Sequence, residues 1–533
     1  MVINMSSPLS RKIPQYAITL VLCVFIGISF WVFSRFTVDD AFITWRYGKN
    51  LLETGIWNYN PSSFDLTQAY TNPIYAIISI IPAFLSVDVV LFFKILSLAF
   101  LLTFSCWYTK KLNNSLAVIL FLLFLALPAT FIHAFSGLET FLYASLLTIL
   151  LIFLYEEKFY PAIITTLLLF ITRPESWVLV VMVPAYFLIQ TESIRFSEKT
   201  GHSSSALSWF FARTTLAKSL QAGLLLAIPL AIYFGFHYAH FGNMLPNTFY
   251  IKSVAPFSFS KAGWFALLGS PVTALLLVRR YKLFLFTSLF IGAMIISYSK
   301  SVLTMNYCER FSFHIFAPAY LFTLFIYTRQ QVDTVRGGIS KPTMIILLLL
   351  ASFIPFAKKT TNENELTFIS VFYPRVLEAH AALGKTLHDI AAKYQLHTLA
   401  MADAGLTPYH SGLSTLDTIG LGSHAVAMNH GVTPALLDKY HPDIIILRTN
   451  KKGMRINTTE RESGPLDTWA KQHDMHVQCE VYWTPDYKLG ISTRKDYPEL
   501  AELCTRSKAF NNKSDKAFFQ DSIHNSPWSY WKE

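Results

Sequence analysis

VDDAFITWRYGKNLLETGIWNYNPSSFDLTQAYTNP, residues 38–73, follows the first apolar run directly and opens on two adjacent carboxylates, Asp39 and Asp40. Arg46 comes shortly after them. Charges at the exit of a membrane helix are costly unless they pair, meet water or do chemistry. Read as a loop at one membrane face, this stretch sets the frame for the rest of the chain.

The chain has 533 residues, of which 53% are hydrophobic and 14% charged. Its mean hydropathy is +0.39. Soluble domains carry roughly 25% charged residues. The deficit and the repeated apolar runs make this a polytopic α-helical membrane protein. The net charge of +11 does not call for nucleic acid as a partner, because cationic loops on the cytoplasmic side supply such an excess. The run 15–34 follows Arg11 and Lys12 and is too long for the apolar core of a signal peptide. No small-x-small cleavage site follows it, so it reads as an uncleaved anchor.

Length and flanking cations predict about 11 transmembrane helices. They lie near residues 15–35, 88–109, 114–131, 138–155, 159–172, 176–190, 220–239, 263–278, 283–298, 311–328 and 343–357. Residues 72–85 are apolar but short and carry Pro73 and Pro82, which suits an interfacial piece. Laying that piece on the outer surface keeps Lys110 and Lys111 in the cytoplasm, as the positive-inside rule favours. The N-terminus is then cytoplasmic and the last part of the chain is outside. Residues 1–357 form the membrane domain, with a first outside loop over 36–87. Residues 358–510 read as a mixed α/β domain and 511–533 as a polar tail. Short buried strands are expected at 398–401 and 443–447, and a helix over 377–394. If this domain is outside the cytoplasm, Cys479 and Cys504 are free to form a disulfide.

The outside loops hold the unusual residues: Asp39, Asp40, Arg46, His133, Glu139, Arg173, Glu175, His237, His240, Lys252, Glu309 and Arg310. Helix-end salt bridges and snorkelling account for many such charges. Gathered at one membrane face, they also suit an anionic lipid head group and an acceptor hydroxyl. Transfer from a phospholipid carrier needs a base for the acceptor proton, which a carboxylate supplies. It also needs cations for the leaving phosphate, and Arg matches phosphate geometrically. Arg46, Arg173, Lys252 and Arg310 are the candidates. The aromatics Trp45, Tyr47, Trp57, Tyr59 and Tyr70 of the first loop serve equally as sugar platforms or as interface anchors.

Seven pieces recur in order over most of the chain: DDAFITWRYGKNL (39–51), YNP (59–61), AYTNPIY (69–75), SGLET (136–140), TRPE (172–175), FGNMLPNTFYIKS (241–253) and ADAGLTPYHSGLSTLDTIGL (402–421). In these the chain resembles the bacterial GT-C superfamily of polyprenyl-phosphate-sugar glycosyltransferases, near the group of the mycobacterial terminal β-(1→2) arabinofuranosyltransferase. The resemblance implies an inverting transferase of the cytoplasmic (inner) membrane, with Asp39 and Asp40 as catalytic carboxylates. It also implies a juxtamembrane helix at 72–85 and a periplasmic C-terminal domain. The acceptor would be an envelope glycan, lipid or protein. Tyr70, Asn72, Glu139, Glu175, His240 and Asn247 are the substrate-binding candidates. If a divalent cation takes part, Asp39, Asp40 and Glu139 are the ligands to consider. The chain departs from the family at Gln68, where an acid is common, and at Glu53-Thr54-Gly55 in place of a GHG-like turn.

Two other readings share these residues. A flippase or transporter of a lipid-linked sugar would carry ionisable groups near mid-membrane and repeated broken helices; here the charges sit at helix ends and no repeat is seen. A glycan polymerase or ligase would rely on the outside arginines without the aspartate pair. Asp403 and Asp417 in the last motif read as members of a turn that closes the small domain and faces the membrane site.

Overall fold

The computed structural model describes residues 15–62, 65–189, 213–252, 255–330, 340–450, 460–484 and 487–508. The polar tail 511–533 and the expected cytoplasmic cations Arg195, Lys199 and Arg336 lie outside the described residues.

The protein is helical and membrane-like, with a small C-terminal sheet domain. Among the described residues, six helices are long and apolar enough to cross a bilayer, among them Val89–Lys111, Tyr281–Ser299 and Lys341–Thr360. A seventh candidate is the pair Ser115–Leu125 and Pro128–Phe135, bent by 61° where Pro128 stops the first helix. The expectation of about 11 spans is therefore not met by length alone. Thr140–Tyr155, Phe159–Thr172 and Pro174–Leu188 are apolar but shorter. At 1.5 Å per residue such pieces cover about 21–24 Å of a hydrocarbon core about 30 Å thick. Residues 72–85 do form short helices, Pro73–Ile78 and Ile80–Phe84, and Asn72 caps the first by accepting from Tyr75 N–H at 3.1 Å.

The stretch 38–73 is only partly a loop. Asp40–Thr54 is a helix, closed by Gly55 in the left-handed conformation. It is buried nearly all round, including Trp45, Arg46 and Tyr47. Its apolar side packs on Phe93 through Trp45, and its Gly48 lets the juxtamembrane pair come in. A Cβ at Gly48 would lie 2.4 Å from Ser79 Oγ, the atom that accepts Gly48 N–H. Lys94, buried in helix Val89–Lys111, donates to the carbonyls of Phe36 and Phe135 and so ties together the ends of two neighbouring segments. A buried ammonium is tolerable there because backbone oxygens replace its water.

Charges also gather at a second set of helix ends. Lys111 pairs with Glu156 at 2.7 Å, as does Lys158. Arg280 covers the Tyr155 ring and Lys282 the Tyr186 ring. The loops that charge counting assigned to one side are thus in mutual contact.

The C-terminal domain is a five-stranded sheet in the order β2-β1-β3-β5-β4. The strands are β1 (Thr398–Met401), β2 (Ser414–Asp417), β3 (Ile444–Asn450), β4 (His476–Thr484) and β5 (Tyr487–Thr493). β1, β2 and β3 are parallel, β5 pairs antiparallel with β3, and β4 pairs antiparallel with β5. Side chains alternate between faces with period two. Leu399, Met401, Ile444 and Ile446 pack under helices Tyr373–Tyr394 and Pro498–Ser507. Ala400 and Ile445 pack on the other face with Leu437 and Trp469. Burial on both faces explains why the parallel strands read as short unbroken apolar runs. Cys479 and Cys504 form a disulfide from β4 to the last helix, with Cα atoms 6.0 Å apart.

Candidate active site

The loop that leaves the carboxyl end of β1 meets the start of helix Asp40–Thr54. In open α/β sheets this edge, where the strand order reverses, is where ligands bind. β2 lies on one side of β1 and β3 on the other, so the reversal falls at β1 itself.

Asp39 is buried there. Its Oδ2 accepts Gly405 N–H at 3.1 Å and its Oδ1 accepts Leu406 N–H at 2.8 Å. Its own N–H donates to Tyr373 Oη at 3.0 Å. Burial pushes its carboxyl up to about 7, against the pull of the two amides, and the charges of Asp403 and Asp40 add to the rise. Gly405 is required by proximity: a Cβ would lie 2.3 Å from Asp39 O and Oδ2.

Asp40, the next residue, is only partly buried. Among the described residues its carboxylate takes no hydrogen bond and no ion pair. Its charge is felt by Lys252, Asp403 and Asp417. Lys252 ends the short helix Asn247–Lys252. Its ammonium likewise makes no hydrogen bond or ion pair among the described residues. Burial lowers its pKa, Asp40 counters that, and Arg310 and Arg173 add to the fall.

A second cluster is built from four helix ends. Glu139, just before helix Thr140–Tyr155, takes Arg173 on Oε1, Arg310 on the same oxygen at 3.2 Å, and Asn72 Nδ2 on Oε2 at 3.0 Å. Arg173 also holds Glu175 in a two-pronged contact at 2.8 and 3.0 Å. Arg310 Nε donates to Thr140 Oγ1 at 3.1 Å. Arg310 is aimed by an unusual turn. Cys308 and Glu309 before it have φ of 45° and 58°, where non-glycine residues rarely sit. The turn is held by His133, whose Nε2–H donates to Cys308 O at 2.9 Å, and by Glu365, which accepts Cys308 N–H at 2.7 Å. Beside Asn72 and Glu139 opens an apolar groove lined by Ile74, Ile78, Leu96, Phe100, Phe141 and Leu142.

The remaining sequence candidates hold the first loop and the C-terminal domain together. Arg46 donates to Leu413 O at 2.5 Å and lies over the Tyr59 ring, its centre 4.6 Å away. Arg46 is thus held at the domain interface, with Nη1 donating to Thr415 Oγ1 at 3.5 Å beside the bond to Leu413 O. Asn247 donates to Gly420 O and to Leu421 O, the latter at 3.1 Å, and accepts from His424 Nδ1–H at 2.9 Å. His240 Nε2–H donates to Trp57 O at 2.7 Å. Tyr70 accepts from Trp57 Nε1 at 3.2 Å. Gln68 donates to Tyr70 O at 3.1 Å, a bond a carboxylate could not make. Asp417 closes its own turn, accepting N–H of Ile419, Gly420 and Gly422 at 2.9, 3.2 and 2.7 Å.

Asp39, Asp40 and Glu139 do not converge as a ligand set. Both Asp39 oxygens face amides and both Glu139 oxygens face nitrogen donors. Among the described residues no three His, Cys, Asp or Glu side chains gather as a metal site would require. Sequence reasoning missed Arg448 and Tyr373. The cation at the end of the apolar run 444–447 was the available signal for Arg448.

Residues 374–510 match the family described as Domain of unknown function (DUF8728), which covers the C-terminal domain and leaves the membrane part outside the match. No curated protein matches the chain.

Proposed function

We propose that the protein is an inverting membrane glycosyltransferase of GT-C type that moves a sugar from a polyprenyl-phosphate carrier to an envelope acceptor. The observation that carries this reading is Asp40, a carboxylate with no hydrogen bond or ion pair among the described residues, whose charge acts on Lys252, an ammonium that has none either. Such a pair suits a base and a phosphate-binding cation awaiting their substrates. Asp40 takes the proton of the acceptor hydroxyl as the acceptor oxygen bonds to the anomeric carbon. The bond from that carbon to the phosphate oxygen breaks on the opposite face, which inverts the centre. The polyprenyl phosphate leaves with its charge met by Lys252 and Arg310. The apolar groove beside Asn72 suits the first isoprene units of the carrier.

The finer topology belongs to the same reading. Eleven spans follow if the bent pair and the shorter helices near residues 20–33, 140–155, 159–172 and 174–188 also cross. The basic helix ends at Lys111, Lys158, Arg280 and Lys282 then face the cytoplasm. The site and the C-terminal domain face the periplasm, which the Cys479–Cys504 disulfide favours. The ionisable clusters lie at helix ends, which argues for the transferase over a transporter.

The test uses full-length protein in nanodiscs with a panel of radiolabelled undecaprenyl-phosphate sugars, following release of undecaprenyl phosphate. Release by wild type that is lost in Asp40→Asn supports the reading. Release by neither, or equally by both, overturns it.

A further inference from the structure

Asp403 stands in the loop after β1, and Arg448 stands near the end of β3. Asp403 Oδ1 lies 3.6 Å from Arg448 Nη1 across the strand ends. The other oxygen, Oδ2, is buried and has no hydrogen-bond partner. A buried carboxylate oxygen left unsatisfied is costly and calls for an explanation. The contrast with its neighbours is informative. Asp39 has both oxygens on backbone amides, and Asp417 has three amides of its own turn. Asp403 alone of these three keeps an open acceptor, at the strand edge where parallel sheets hold ligands.

Charge points the same way. The Asp403 carboxyl is raised by burial, lowered by Arg448 and raised again by the charge of Asp40, and Gly405, two residues after Asp403, donates to Asp39, the neighbour of Asp40. Two like charges there are tolerable when hydroxyl donors lie between them. A carboxylate beside a guanidinium matches a sugar with neighbouring hydroxyls: the carboxylate accepts from one, and the guanidinium donates to the oxygen of the next. Lys252, which the leaving phosphate would use, feels the charges of Arg310 and Arg173, and its carbonyl accepts from Val302 N–H. The donor then enters from the membrane helices and the acceptor from the sheet.

We infer that the Asp403–Arg448 pair binds the acceptor, a glycan with vicinal hydroxyls, and turns one hydroxyl toward Asp40. This rests on the transferase reading and assigns it a second substrate side. Asp403 is a positioning residue, because it orients the hydroxyl and does not take its proton.

The test uses full-length protein in nanodiscs, the undecaprenyl-phosphate sugar that wild type cleaves, and n-octyl glycosides as acceptor probes. Sugar delivered to the glycoside and sugar delivered to water are counted separately. Asp403→Asn is expected to lower the ratio of glycoside to water product by about 10- to 100-fold, the loss of a charged hydrogen bond. The KM for the glycoside should rise more than the KM for the donor. Asp403→Glu should recover part of the ratio, and Arg448→Gln should lower it as well. Cleavage to water in each variant also reports that the protein is folded. An unchanged ratio, or a fall in both products together, overturns the assignment. If wild type cleaves no donor at all, the transferase reading fails and this assignment fails with it. Wild-type cleavage with an unchanged ratio in the variants removes the acceptor pair alone.

Discussion

Two polar faces meet at the start of helix Asp40–Thr54, and they are satisfied in opposite ways. The face toward the C-terminal domain is matched mostly with backbone groups. Asp39 takes two amides, Arg46 a carbonyl, Tyr59 Oη donates to Ala404 O at 2.6 Å, and Asn60 makes both bonds of a pair with Thr415 at 2.8 and 3.2 Å. The face toward the membrane helices is matched with opposite charges: Glu139 between two guanidiniums, and Glu175 on one of them. Backbone matching fixes position, because amides and carbonyls cannot move without unfolding the turn that carries them. Charge matching can be exchanged for another anion. The first face is a dock, and in the proposed reading the second is where a phosphate would replace a carboxylate as partner.

The largest effects should separate the two adjacent aspartates. Asp40→Asn should cut sugar transfer by about 10²- to 10⁴-fold, the usual worth of a positioned base, with little change in thermal unfolding. Asp39→Asn should do the reverse. It leaves one buried amide facing an NH₂ group and should destabilise the dock by about 1–3 kcal/mol. Hydrogen exchange at Gly405 and Leu406 would then speed up, and activity would fall only as far as the dock opens. A variant pair with the roles exchanged would break the comparison. Glu139→Gln should destabilise by about 3–5 kcal/mol, because it leaves two buried guanidiniums short of a charge. Thermal unfolding in nanodiscs reads this, and inorganic phosphate should recover part of the loss if the cluster accepts an anion. Gly405→Ala should cost about 1–3 kcal/mol through overpacking on Asp39, and Asp39→Gly in the same chain should relieve part of it.

Local sequence carried much of the architecture and little of the division of labour. Apolar runs located apolar helices to within a few residues, for example 159–172 and 283–298 against Phe159–Thr172 and Tyr281–Ser299. Apolarity does not report length limits or breaks, so 263–278 proved to be Phe259–Gly269, a turn at Pro271 and Ala274–Leu277. Unbroken apolar runs revealed β1 and β3. β4 was missed because it forms a sheet edge, where Gln478 and Glu480 interrupt the apolar pattern, and β5, although inside the sheet, because Lys488, Gly490, Ser492 and Thr493 interrupt its own. Asp39 and Asp40 are indistinguishable by neighbours in sequence. What separates them arrives from residues 405 and 406, which no local pattern places beside them. Arg46 reads as a phosphate ligand for the same reason: its partner carbonyl at Leu413 is invisible to residue spacing.

The smallest effect concerns pH and sharpens the account of the dock. Burial raises the Asp39 carboxyl from its ordinary value of 3.8 to about 7 in the docked state. Between those two values the docked form binds more protons than the open form, so the dock weakens as pH rises. Its contribution is complete below about pH 4 and is lost progressively toward pH 7. Exchange protection at Gly405 and Leu406, corrected for the intrinsic pH dependence of exchange, should therefore fall from pH 5 to pH 8 in wild type. The slope should vanish in Asp39→Asn, which has no proton to exchange. Protection that rises with pH in wild type would mean that the two amides favour the ionised carboxylate by more than burial opposes it. Asp39 would then be an anion held in place by its donors, and the contrast with Asp40 would lie in contacts alone and not in charge.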